Sequence, residues 1–175
     1  MPNLEAIIKR HNNKVLSEGH HATPSTCNCR DKDQCPLPGK CTMENVVYEA
    51  TVTTSNEKKS YIGLSAPSFK ARYGNHKQSF EYRSKSHHTE LSKYIWHLKD
   101  TNKQYTLEWA IKKQARPYSA TSGKCNLCSW EKYYIITANK KTTLNSRSEL
   151  TSTCRHMNGF LDEIEDENEL EDEIG

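Results

Sequence analysis

The chain has 175 residues and a mass of 20.2 kDa, which allows one compact domain with small appendages and excludes a multidomain array. Hydrophobic residues make up 34% and the mean hydropathy is −0.93, so the core is modest, and no apolar run approaches membrane-spanning length. The net charge of +3 hides an asymmetry: nine of the 22 acidic residues lie in Asp162–Gly175, leaving 25 Lys and Arg against 13 acidic residues before it, or +12, which implies a polyanionic partner, most simply nucleic acid, with solubility as the plainer reading.

Residues 1–26 read as a linker. A short helical pattern (Leu4, Ile7, Ile8) gives way to polar residues, and His11, His20 and His21 belong to that stretch and not to a metal site. The opening MPNLEAIIKRHNN lacks the apolar centre of a signal peptide, so a soluble, intracellular, non-secreted chain without membrane association is expected. In that setting an odd total of seven cysteines points to zinc or free thiols before disulfides.

Residues 27–44 carry Cys27, Cys29, Cys35 and Cys41 among prolines and a glycine, with almost nothing apolar to fold them. Four thiolates on one Zn²⁺ would supply the missing folding energy, giving a zinc knuckle; free thiols in a loop are the alternative. The C-x-C-x5-C-x5-C spacing is uncommon, and His76 could replace one cysteine if the knuckle packs beside it.

Alternation in VVYEATVTT predicts a strand over 46–54, a polar turn follows at 55–59, and KSYIG predicts a second strand over 59–63 with Gly63 at its exit. Ser65 and Pro67 predict a helix start, and Phe69, Arg72, Tyr73, His76 and Phe80 recur at helical steps over about 67–80. This puts Arg72 and His76 one turn apart on one face. A guanidinium grips phosphate bidentately, and an ordinary histidine relays protons near neutral pH. The plainer reading is an amphipathic helix whose Arg and His are solvated.

After a polar loop at 83–88, Thr89 opens a second helix with Leu91, Tyr94, Ile95 and Leu98 as its buried stripe and Trp96 and His97 on its flank. Gln104–Lys112 alternates as a third strand, and 116–124 is a loop. A third helix runs from Cys125 to about Ala138, facing Leu127, Trp130, Tyr134 and Ile135 inward with Glu131 on the border. Cys125 and Cys128 have two soft partners further on, Cys154 and His156, which suggests a second zinc site joining this helix to the C-terminal segment; buried free thiols are the alternative. Residues 162–175 are expected to form an acidic disordered tail.

Tyr48 and Tyr61-Ile62-Gly63, followed by Arg72 and His76, resemble the motifs of the GIY-YIG nuclease domain, although the first motif reads Val46-Val47-Tyr48. Together with CNCRDKDQCPLPGKC, NHKQSF, ELSKYIWHLKD, CNLC, LNSRSEL and CRHMNGF, they are similar to the endonuclease portion of Penelope-like retroelements over about residues 2–161. The resemblance implies an α+β nuclease domain over 45–161, a small three-stranded antiparallel sheet flanked by helices. It implies Tyr48, Tyr61, Arg72, His76, Glu131 and Asn145 as the catalytic set, Glu131 being the ligand for a catalytic Mg²⁺ or Mn²⁺. Arg72 would clamp the scissile phosphate; Tyr48, Tyr61 or His76 would deprotonate water; Asn145 would orient its neighbours. Lys70, Lys77 and Lys93 are the candidate DNA contacts, in keeping with the basic residues around the second motif. The implied function is a DNA endonuclease, in the nucleus, nicking target sites for retrotransposition, with an associated reverse transcriptase and its RNA as further partners. The alternative is a zinc-stapled nucleic-acid-binding module that has lost cleavage; a transcriptional regulator ranks last for want of a recognition helix.

Overall fold

The computed structural model describes residues 27–116 and 125–154. The expected linker, the acidic tail, most of the 116–124 loop and His156 lie outside those residues. The described part is a mixed α+β fold: strands β1 (Val46–Thr54), β2 (Lys58–Ser65) and β3 (Tyr105–Gln114), and helices α1 (Phe69–Glu81), α2 (Glu90–Asp100), α3 (Asn126–Thr137) and α4 (Arg147–Thr151). A single 3₁₀ turn at Arg83–Lys85 separates α1 from α2. Among the described residues no helix is long and apolar enough to cross a membrane.

The sheet is antiparallel in the order β2-β1-β3. The strand richest in β-branched residues, β1, takes the centre, where both faces are covered. One face places Val46, Tyr48, Ala50 and Val52 against Phe69 of α1 and Leu91, Ile95 and Leu98 of α2. The other places Val47 and Ile62 against Leu127 and Ile135 of α3. Burial on two sides explains why Val46, Val47 and Tyr48 run consecutively buried where strict alternation would expose one of them. In β3 the expected alternation holds, with Tyr105, Leu107, Trp109 and Ile111 sharing the inward face.

The free edge of β2 is covered by the segment after α3. Ser60 N–H donates to the Thr142 carbonyl at 2.9 Å, and Leu144 N–H donates to the Ser60 carbonyl at 2.7 Å. Unpaired strand groups are costly to leave bare, and this contact carries the chain toward Asn145.

Three local expectations need correction. The second strand runs on to Ser65, so Gly63 lies within it and not at its exit. The helix cap is Ser68, whose oxygen accepts from Ala71 N–H at 3.3 Å; Ser65 instead donates to the Pro67 carbonyl at 2.8 Å, bracing the turn before the cap. In α2, Tyr94 is only half-buried, because its hydroxyl reaches out to Glu57 at 2.9 Å, and Leu91, Ile95 and Leu98 form the buried stripe.

The cysteine-rich segment packs on the sheet's first face, with Cys35, Leu37 and Cys41 in the same cluster as Tyr48 and Phe69. It also caps α1. The carbonyls of Met43 and Cys41 accept from Phe69 and Lys70 N–H at 2.8 and 2.7 Å, satisfying donors that have no partner inside the helix.

Candidate functional site

Tyr48 stands in mid-strand on β1, facing α1, where Arg72 and His76 lie one turn apart. Arg72 Nε donates to the Tyr48 hydroxyl oxygen at 3.1 Å, and the same oxygen lies 2.7 Å from His76 Nε2. Burial, reinforced by the neighbouring Arg72 charge, pushes His76 down to about 3. The imidazole is therefore neutral at pH 7. With its proton on Nδ1 the ring accepts the Tyr48 O–H at Nε2; with its proton on Nε2 it donates to the Tyr48 oxygen. The expectation of a histidine titrating near neutrality is corrected by this burial; only 2% of the side chain is exposed. Desolvation raises the Tyr48 phenol above its ordinary range, while the Arg72 charge pulls it back down. A cavity of about 200 Å³ beside this cluster is lined by Arg72, Asn75, His76, Ser79, His88 and Thr89.

Gly63 makes the arrangement possible. It pairs directly with Tyr48 across the sheet, and a Cβ placed there would lie against the phenol oxygen and 2.6 Å from the ring carbon Cζ. No side chain fits at this position while Tyr48 keeps its place.

Tyr61 lies two residues along β2 on the same face, opposite Ala50, and is 4% exposed. Its hydroxyl donates to Glu149 Oε1 at 3.3 Å. Burial first, then the Tyr48 and Glu149 charges, hold the phenol well above its usual range, so it stays protonated. Asn145 reads the edge of β2 with both ends of its amide: Oδ1 accepts from Ile62 N–H at 2.8 Å, and Nδ2 donates to the Ile62 carbonyl at 2.7 Å. Nδ2 also donates to Glu149 Oε2 at 3.0 Å.

Glu131, on α3, is half-buried and makes no hydrogen bond or ion pair among the described residues. Desolvation, and next the Glu149 charge, push its carboxyl up to about 7 against the opposing pull of Arg72. A partly desolvated carboxylate, unpaired and facing another, fits a hard cation, which would offset both the burial and the repulsion.

Of the three candidate lysines, Lys77 is exposed and unpaired among the described residues. Lys70 Nζ donates to Asn28 Oδ1 at 2.8 Å, and Lys93 pairs with Glu90 at 2.6 Å. His87, His88 and His97 are exposed.

The sulfurs of Cys27, Cys29, Cys35 and Cys41 all lie within 4.8 Å of one another. Cys27 and Cys35 are 3.3 Å apart, and Cys29 and Cys41 3.7 Å. Tetrahedral zinc with Zn–S bonds of about 2.3 Å sets its sulfurs about 3.8 Å apart, so this cluster could hold a zinc ion. The Cys29 amide, and next the thiols of Cys41 and Cys35, lower Cys27 to about 6, whereas burial pushes Cys41 up to about 12. His76 is engaged with Tyr48, and the four cysteines gather without it. Cys125, Cys128 and Cys154 form a second group within the same distance, Cys128 and Cys154 being 3.4 Å apart, and this group could also hold a zinc ion.

Glu149 was not singled out by the sequence reading. Its signal was available: Ser146-Arg147-Ser148-Glu149 has the spacing in which a helix-opening serine and an acid three residues on cap each other. No family model, curated protein or solved structure matches the chain. The site's geometry therefore carries the functional argument.

Proposed function

We propose that this chain is a divalent-metal-dependent DNA endonuclease of the GIY-YIG type, derived from a Penelope-like retroelement and nicking its target. The observation that carries this reading is the hydrogen-bonded set Tyr48–Arg72–His76, with Tyr61 from β2, Glu131 from α3 and Asn145 from the segment before α4 around it. Tyrosine, arginine and histidine sharing one buried oxygen are an uncommon way to fill a core, because each polar atom must be desolvated and then satisfied.

In this reading Arg72 holds the scissile phosphate, and its charge lowers the cost of phenolate character on Tyr48. Water attacking phosphorus gives its proton to the Tyr48 oxygen as the proton of Tyr48 passes to His76 Nε2. His76 starts neutral and is placed to accept it. Glu131 is the residue that would hold Mg²⁺ or Mn²⁺. When bound, the cation offsets charge developing on the phosphate. Asn145 braces β2 and thereby Tyr61. DNA is the partner, an associated reverse transcriptase with its RNA a further one, and the nucleus the expected compartment.

A supercoiled-plasmid nicking assay tests the reading. Open circles should form with Mg²⁺ or Mn²⁺, vanish with chelator, and fall at least about 100-fold in Arg72→Ala and Glu131→Ala. Glu131→Ala should still bind the plasmid. Folded wild-type protein that binds plasmid and leaves it intact would replace this reading with that of a nucleic-acid-binding module.

A further inference from the structure

We infer that Glu149 is a positioning residue that fixes the hydroxyl of Tyr61, and that it must be a carboxylate to do so; this rests on the nuclease reading above. Three donors from two parts of the chain, β2 and the segment before α4, converge on it. Tyr61 O–H reaches Oε1 at 3.3 Å, while Asn145 Nδ2 and the Ser146 backbone N–H reach Oε2 at 3.0 and 2.8 Å. A carboxylate offers acceptor sites on both oxygens, whereas a glutamine amide presents one oxygen and an NH₂ that can only donate. No rotation of a glutamine side chain satisfies donors on both sides.

The consequence for Tyr61 is directional. A phenol has one proton, and that proton is committed to Glu149. Toward the Arg72 side Tyr61 can therefore present only lone pairs, which accept from a water or a substrate hydroxyl. In the His76 tautomer that the proposed proton relay uses, protonated on Nδ1, Tyr48 is restricted in the same way, and both phenols are then acceptors at the place where attacking water must be oriented. Glu149 also ties this direction to the frame. Through Asn145 it is linked to the backbone of Ile62, the residue next to Tyr61, so hydroxyl and strand move as one unit. Its charge faces Glu131 as well, in keeping with a cation held between the elements that carry them.

The test is a double-mutant cycle of Glu149→Gln and Tyr61→Phe in the nicking assay, with Tyr61 observed separately in protein labelled with ¹³C at tyrosine Cζ. Glu149→Gln should slow nicking at least about tenfold in the wild-type background and less than about twofold in Tyr61→Phe, because the partner it acts through is gone. The Tyr61 Cζ resonance, assigned by its loss in Tyr61→Phe, should shift in Glu149→Gln. Glu149→Asp keeps the charge but withdraws it by one methylene, and serves if the glutamine variant does not fold; it should show the same pattern. Equal losses in both backgrounds, or an unmoved Tyr61 resonance, overturn the inference. Wild-type protein that does not nick removes the nuclease reading, and the resonance alone then decides whether Glu149 sets the Tyr61 hydroxyl.

Discussion

Gly63 and Tyr48 illustrate how one missing methyl group can set a site. The phenol ring of Tyr48 occupies the space that a Cβ on the opposite strand residue would take, so the two positions are one choice and not two. Gly63→Ala should displace Tyr48 from His76 and Arg72. Overpacking of this kind costs about 1–3 kcal/mol, and a thermal melt should show it as a lowered midpoint. An unchanged midpoint would mean that the sheet relaxes around the methyl group. His76 makes the companion point about charge. Its residue type suggests titration near pH 7, yet burial beside Arg72 keeps it neutral there.

At the scale of elements, the knuckle and α1 are a joined pair. Backbone carbonyls of the knuckle satisfy the first N–H groups of the helix that carries Arg72 and His76, and the knuckle has few apolar side chains to hold those carbonyls in place. Zinc binding at Cys27, Cys29, Cys35 and Cys41 would thus be felt at the helix start. Metal analysis of the purified protein should find two zinc ions per chain, and one in Cys41→Ser or Cys128→Ser. Stripping zinc with a strong chelator should lower the melting midpoint and weaken the helical signal. A chain that is metal-free and equally stable would make both clusters reduced thiol groups. The short α4 leaves only its capping spacing in the sequence: five residues give no helical period, and the helix rests on the Ser146–Glu149 cap and on the contact of Glu149 with Tyr61.

At the scale of the whole molecule, two desolvated groups set the pH dependence of stability with opposite signs, His76 and Glu131. In the unfolded chain His76 titrates near its ordinary 6.5, and in the fold at about 3, so the unfolded state takes up the proton first. The stability contributed by the neutral ring is complete above about 6.5 and is lost as the pH falls toward about 3, at about 1.4 kcal/mol per unit. Glu131, raised to about 7, acts in the opposite sense between about 7 and 4.5, so the His76 decline should show in urea midpoints of Glu131→Gln measured between pH 8 and pH 4. Adding His76→Phe to that variant should lower stability at pH 8, because the Tyr48 hydroxyl loses its partner, and flatten the profile below pH 6.5. A double variant with the same slope as Glu131→Gln would place the acid sensitivity elsewhere.

Much of the architecture follows from local pattern. Alternation marks the three strands, three- and four-residue steps mark α1 to α3, and cysteines close in sequence can meet without help from the rest of the fold. The pattern also placed Arg72 and His76 on one helix face, because that follows from helical pitch alone. What the sequence by itself left undecided depends on neighbours distant along the chain. Gly63 reads as a strand exit until Tyr48 is set opposite it, Ser65 reads as a cap until Ser68 is seen to accept from Ala71, and Glu149 is an ordinary surface acid until Tyr61 and Asn145 reach it. Protonation belongs to the same class. The neutrality of His76 and the raised carboxyl of Glu131 come from desolvation and from charges on other elements, and only the tertiary structure brings these together.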